Sequence, residues 1–346
     1  MSRRSALLPA GAVAVLLALL SLVIRVPYVE LVPGPVTNTL GKRSDGVPLI
    51  TVTGRRTYPT SGHLDLTTVG VSGGPDSELS AAQALAGWFQ PHAAVVPQDA
   101  VFPPGESQKV VEQQNTRQMV DSQQDAISAA LSSLKVPFRT EVLVGAVEKG
   151  TPADGQLRVG DEVRAVDGTA VTSAQALRTL ISRRTPGQLV RVTVDRNGVV
   201  RQLSIRTAAD RQDPKRAIIG VATAERAKPP FTVTIHLKDV GGPSAGLMFA
   251  LGIIDTLTPG QLNGGKHIAG TGTITTDGTV GPIGGIAQKV VAARDAGASV
   301  FLTPVANCRA AASNRPAGLT LVRVATLSEA MDRLAAIRAG RPVPTC

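Results

Sequence analysis

The chain has 346 residues, 43% hydrophobic and 18% charged, with a formal net charge of +10. That length predicts two domains rather than one core, and the apolar content excludes a disordered chain. Aromatics are only 3%, with Trp88 the single tryptophan, and basic residues are scattered in pairs such as Arg55-Arg56 and Arg183-Arg184, which excludes a stacking platform or a clustered basic face for nucleic acid.

The first informative segment is the uncharged run from Ala6 to Ile24. As a helix rising about 1.5 Å per residue it covers the ~30 Å hydrocarbon core of a bilayer. Arg3 and Arg4 precede it, so the N-terminus is expected in the cytoplasm and the remainder outside. The run is longer than the core of a signal peptide, and Leu22 to Pro27 offers no small-residue cleavage site, so an uncleaved anchor is expected over a removed signal. Pro27 to Pro35 reads as an exit linker, Leu49 to Val71 as short strands, and Gln83 to Phe89 as a short helix. Met119, Ala126, Ile127, Ala130 and Leu131 recur at helical spacing, which predicts a helix over Gln108 to Leu134 that stops before Pro137.

The pattern then changes. Glu141 to Val147 reads as a strand, Gly160 to Gly168 as a strand bounded by turns, Ser173 to Ser182 as a helix, and Val190–Asp195 with Val199–Ile205 as a hairpin about Asn197-Gly198. Gly150-Thr151-Pro152-Ala153, followed by Leu157-Arg158-Val159-Gly160-Asp161-Glu162-Val163 and Asp167-Gly168, resembles the strand, turn and strand core of PDZ domains. The resemblance implies a sheet edge that takes an extended peptide as an added strand. A Gly-Leu-Gly-Phe-like carboxylate loop is missing, so no ligand residues are assigned. A module that only spaces or packs against its neighbour is the alternative.

The candidate chemistry lies beyond. After the β-branched run Thr232 to Ile235, Gly241-Gly242-Pro243-Ser244-Ala245-Gly246 leads into Leu247, Met248, Ala250, Leu251 and Ile254 at helical spacing. Pro243 suits a first turn, so Ser244 belongs at a helix N-terminus, where free N–H groups and the helix dipole favour a developing oxyanion. A glycine-rich turn with a capping serine reads equally from this segment alone. In Gly281-Pro282-Ile283-Gly284-Gly285-Ile286-Ala287-Gln288-Lys289, the lysine shares a helix face with Gly285, Ile286, Ala292 and Ala293. Burial there lowers its pKa and yields an amine able to take a serine proton, the alternative being a lysine that snorkels over apolar surface.

Together the two segments resemble the proteolytic domain of Lon proteases, and the resemblance extends from about 230 to 338. It implies that Ser244 is the nucleophile, that Lys289, 45 residues on, is the general base, and that Gly242 and Ser244 provide backbone oxyanion donors. Ala269-Gly270-Thr271-Gly272-Thr273-Ile274 places Thr271 on the family's supporting threonine, with Thr273 replacing the usual glutamate. Thr326 and Glu329 read as a capping box on the last helix. Gly241 replaces an aspartate three residues before the nucleophile, and Asp239 lies two residues earlier. Met119-Val120-Asp121-Ser122-Gln123 resembles an early helix of the same fold, which implies that the PDZ-like unit is inserted into the protease domain.

The expected fold class is thus α+β: a cytoplasmic tip and transmembrane anchor at 1–26, a linker and N-terminal protease part at 27–134, a PDZ-like β-rich domain at 135–210, and a Lon-type α/β catalytic domain at 211–346. This arrangement resembles the YlbL-like bacterial membrane proteases. The expected function is ATP-independent serine endopeptidase action on envelope or membrane proteins, recruited by the PDZ domain. Gly260 to His267 imitates a phosphate loop, but His267 replaces the required Ser/Thr and no hydrophobic strand precedes it. No cofactor is expected. No metal is expected either, because the four histidines are dispersed and Cys308 and Cys346 provide too few ligands. In an oxidising compartment those cysteines form a disulfide tying the tail to the body, or they remain two free thiols. Two rivals stand: a PDZ scaffold with a vestigial Lon-like fold, and a Ser-His-Asp hydrolase using His236 or His267. Oligomeric state, a homo-oligomer included, is not readable from the residues.

Overall fold

The computed structural model describes residues 3–43, 45–237 and 240–346, with side chains from Ala12 onward. Its contacts divide the chain into one unit of residues 1–52, 56–133 and 233–346, and a second of 53–55 and 134–232. Residues 211–232, expected in the catalytic part, therefore fall in the second unit.

Helix α1 (Arg3–Val23) covers most of the expected anchor. Its first turns lie outside the residues whose side chains are described, and among the described residues no helix is long and apolar enough to cross a membrane. From Val13 to Val23 its large apolar side chains are exposed. Strand β1 (Tyr28–Asn38) follows, where an exit linker was expected. Its prolines are tolerated because the register with β2 (His63–Ser72) shifts between Pro33 and Val36, at a break in the ladder that needs no N–H from them. Helix α2 (Ala81–Phe89) starts with a capping box between Ser80 and Gln83. Strand β3 (Ala94–Pro97) and helix α3 (Gln108–Ser133) complete this segment. The apolar stripe read from the sequence is the buried face of α3, with Met119, Ala126, Ile127, Ala130 and Leu131 all in the core.

The second unit holds β4 (Arg139–Val147), β5 (Glu162–Val166), α4 (Ala174–Ser182), β6 (Leu189–Arg196), β7 (Val199–Arg206) and β8 (Val221–Lys228). These strands pair antiparallel in the order β7-β6-β5-β4-β8, leaving β8 on an edge. Alternating Val190, Val192 and Val194 of β6 join Val142, Val144, Val163, Leu177 and Ile205 in a core of its own.

The chain returns to the first unit with α5 (Gly246–Leu257), β9 (His267–Gly270), α6 (Ile286–Asp295), β10 (Val300–Pro304), α7 (Cys308–Ser313), β11 (Thr320–Val324) and α8 (Leu327–Arg338). The six-stranded sheet has the order β11-β10-β9-β2-β1-β3, parallel from β11 to β2 and antiparallel beyond. Helix α5 is buried almost all round, as its nearly unbroken apolar sequence requires. Cys308 and Cys346 are joined in a disulfide that ties the tail to α7.

Candidate active site

Ser244 lies two residues ahead of α5, in the glycine-rich turn that the sequence put at a helix N-terminus. Two contacts with α3 hold this turn: the Gly242 N–H donates to the Asn115 carbonyl at 2.9 Å, and the Ser122 hydroxyl donates to the Pro243 carbonyl at 3.0 Å. The first changes an expectation. The Gly242 N–H is directed at Asn115 rather than at a substrate position, which leaves Ser244's own N–H as the remaining one of the two expected oxyanion donors. Asn115 lies 127 residues from Gly242 in sequence and Ser122 lies 121 from Pro243, and no local pattern pointed to either contact.

Lys289 sits on the first turn of α6, just 3% exposed. The helix can start here because its N-cap, Gly285, adopts φ +65°, and a Cβ at that position would stand 2.5 Å from Val69 of β2. The Lys289 Nζ lies 2.8 Å from the Ser244 Oγ and 3.2 Å from the Thr271 Oγ1. Burial alone lowers the lysine pKa from 10.5 to about 8.

Thr271, fully buried behind the lysine, donates its hydroxyl proton to the Ser244 carbonyl at 3.0 Å, and the Gly272 N–H donates to the same oxygen at 2.9 Å. With its proton so used, the Thr271 oxygen accepts from Lys289. The amine's lone pair is then available to the Ser244 hydroxyl once Lys289 is neutral. Asp239 lies outside the described residues. Neither rival histidine meets the serine: His236 bonds Thr51 at 3.0 Å, and His267 bonds Asp65 at 2.5 Å.

A cleft of about 510 Å³ opens over Ser244 and Lys289, walled by Thr68 to Val71 of β2, Val240, Gly241 and Gly284-Gly285. Strand β9 pairs β2 only over His63 to Leu66. Beyond Leu66 that edge of β2 carries no strand among the described residues, and it runs along the cleft.

The second unit has its own groove, of about 1020 Å³, between α4 and the start of β8. Gln175, Arg178, Thr179 and Ser182 line one side, Arg216 to Thr223 the other. Gly220, at φ +80°, lets the chain pass Thr151, which a Cβ would strike at 2.2 Å. Ile219-Gly220 thus forms the turn that leads into the edge strand β8.

Residues 215–334 match the family model of the Lon protease (S16) C-terminal proteolytic domain, and residues 111–207 match that of the PDZ domain. The chain is similar to Lon protease 2 of Bacillus subtilis (strain 168), 32% identical over 110 residues that cover 30% of this chain and 19% of that protein. It is similar also to Lon protease 1 of Sorangium cellulosum (strain So ce56), 39% identical over 104 residues, covering 29% of this chain and 12% of the relative. The chain therefore spans no more than about a fifth of these relatives. Of solved structures, the PDZ domain of the SdrC-like protein from Listeria monocytogenes is 26% identical, covering 24% of this chain and 85% of that one at a TM-score of 0.22.

Proposed function

We propose that this protein is a membrane-anchored, extracytoplasmic serine endopeptidase in which Ser244 is the nucleophile and Lys289 its general base. The observation that carries the reading is a serine hydroxyl 2.8 Å from the amine of a buried lysine whose pKa falls to about 8. Neutral Lys289 takes the Ser244 proton as Oγ attacks the scissile carbonyl. The resulting ammonium then returns a proton to the leaving amine, giving a free amine and an acyl ester on Ser244, which water cleaves by the same proton transfers in reverse. The Ser244 N–H at the α5 N-terminus faces the oxyanion. Thr271 keeps the lysine aimed at Oγ and is a positioning residue.

The free β2 edge along the cleft supports an extended peptide as substrate, laid beside Thr68 to Val71 as an added strand. The α4–β8 groove recruits a second extended segment, with Arg178 facing an acidic end. Anchoring rests on the uncharged run from Ala6 to Ile24 behind two arginines, and the Cys308–Cys346 bond supports an oxidising compartment. That compartment has no nucleotide pool, so the proposed reaction is ATP-independent.

The direct test is hydrolysis of a fluorescently labelled unfolded protein by the full chain, compared with Ser244→Ala shown by circular dichroism to be folded. Activity confined to the wild type is the expected result. Equal activity in both would overturn the reading and favour the scaffold alternative.

A further inference from the structure

We propose that His63, Asp65 and His267 form a binding site for a transition-metal cation of the zinc type, at the end of the central strands away from Ser244. In sequence these residues are dispersed, but the parallel pairing of β2 with β9 sets His267 opposite His63, with Asp65 two residues further along β2. The His63 Nδ1 lies 3.3 Å from the Asp65 Oδ1, and the His267 Nε2 lies 2.5 Å from the Asp65 Oδ2. One ligand atom from each residue falls within 4.8 Å of the others.

A second observation makes this more than a polar cluster. Asp65 is 3% exposed, and among the described residues its ion-pair partners are these two imidazoles alone. A buried carboxylate needs a positive charge nearby, and here no lysine or arginine provides it. A divalent cation held by all three groups would.

The donor set selects the metal. Two imidazole nitrogens and one carboxylate oxygen suit Zn²⁺, Co²⁺ or Ni²⁺, whereas Ca²⁺ and Mg²⁺ prefer oxygen throughout. Bonds of about 2.0–2.2 Å in a tetrahedron put ligand atoms roughly 3.4 Å apart, so small side-chain rotations reach that geometry. His63 is half-exposed, so the fourth position faces solvent and takes water. The site lies on β9 four residues before Thr271, and on β2 six residues before Val69. At about 3.3 Å per residue it is some 10–17 Å along β2 from Thr68, where the cleft begins, and its role is a clamp between the two strands that lead there.

The test is calorimetric titration of ZnCl2 into the tag-free, chelator-stripped full chain, with Co²⁺ absorption as the geometric readout. One Zn²⁺ per chain is expected, together with the visible bands of tetrahedral Co²⁺ and a rise in Tm. His63→Gln and His267→Gln should each weaken binding about tenfold or more, and Asp65→Asn likewise where circular dichroism shows it folded. His63→Gln changes a half-exposed side chain, so its folding is secure. An absence of binding at 100 µM Zn²⁺, or equal binding by wild type and His63→Gln, would overturn the proposal.

Discussion

At the scale of single residues, the proposed chemistry depends on an amine that must be neutral in a site where it is not so by default. With a pKa of about 8, roughly a tenth of Lys289 is unprotonated near pH 7 and half at pH 8, so kcat should climb about fivefold from pH 7 to 8 and level off about tenfold above its pH 7 value beyond about pH 9. Lys289→Ala and Lys289→Arg should both be inactive, the second because guanidinium keeps its proton. Since the proposed mechanism uses serine and lysine as a unit, Ser244→Ala with Lys289→Ala should be little worse than either alone. A folded Lys289→Arg enzyme with wild-type turnover would remove lysine from the mechanism.

The same burial has a cost in stability. The folded pKa is below the unfolded value of 10.5, so at pH below 8 the ammonium is buried at a cost on the order of 3 kcal/mol. That cost is fully present below pH 8 and is relieved as pH rises from 8 to 10.5. Lys289→Met, inactive, should therefore have a higher Tm than wild type near pH 7, with the gap closing above pH 10. Thermal denaturation across that range checks it, and a Tm gap independent of pH would count against the burial argument.

At the scale of elements, the Ser244 turn is positioned from α3, and this was the part least legible in sequence. The helix-start position of Ser244 and the buried helix face of Lys289 could be read from glycines, a proline and helical apolar spacing, whereas the roles of both, and Thr271 altogether, came from the resemblance to Lon proteases. The fate of the Gly242 N–H could not, because it depends on Asn115, brought in by helix packing rather than by any local pattern. Likewise the prolines of β1 suggested a linker, since a ladder break that excuses them is set by the partner strand. Ser122→Ala should free the Pro243 carbonyl and lower kcat several-fold through misplacement of Oγ, with KM nearly unchanged and the pH midpoint still near 8. A shifted midpoint would show instead that Ser122 acts on the lysine.

The C-terminal tail is a second element-scale device. Cys346 N–H donates to the Leu321 carbonyl at 3.0 Å, and Thr345 bridges Val322, so the tail covers the outer edge of β11. The disulfide closes a loop between positions 38 residues apart. Cys308→Ser with Cys346→Ser should lose about 2–4 kcal/mol in denaturant unfolding. An unchanged midpoint would mean that the tail docks without help from the bond.

At the scale of the whole molecule, location and energy source are one question. The uncharged run behind Arg3 and Arg4 predicts that residues beyond about 26 face outward, so protease added to intact spheroplasts should digest the body of the protein, and full protection would reverse the topology. A protease in the proposed position has no ATP with which to unfold its substrates. The cleft, of about 510 Å³ beside a single free strand edge, fits an extended chain and not a folded domain. The enzyme should therefore cleave an unfolded labelled protein at the same rate with and without Mg-ATP, and spare the same protein when it is compactly folded. Tagging that folded protein with a C-terminal peptide that occupies the α4–β8 groove should lower KM for any flexible segment it carries without making the folded core a substrate. Release of label from the folded core upon addition of ATP would contradict both the proposed compartment and the nucleotide independence.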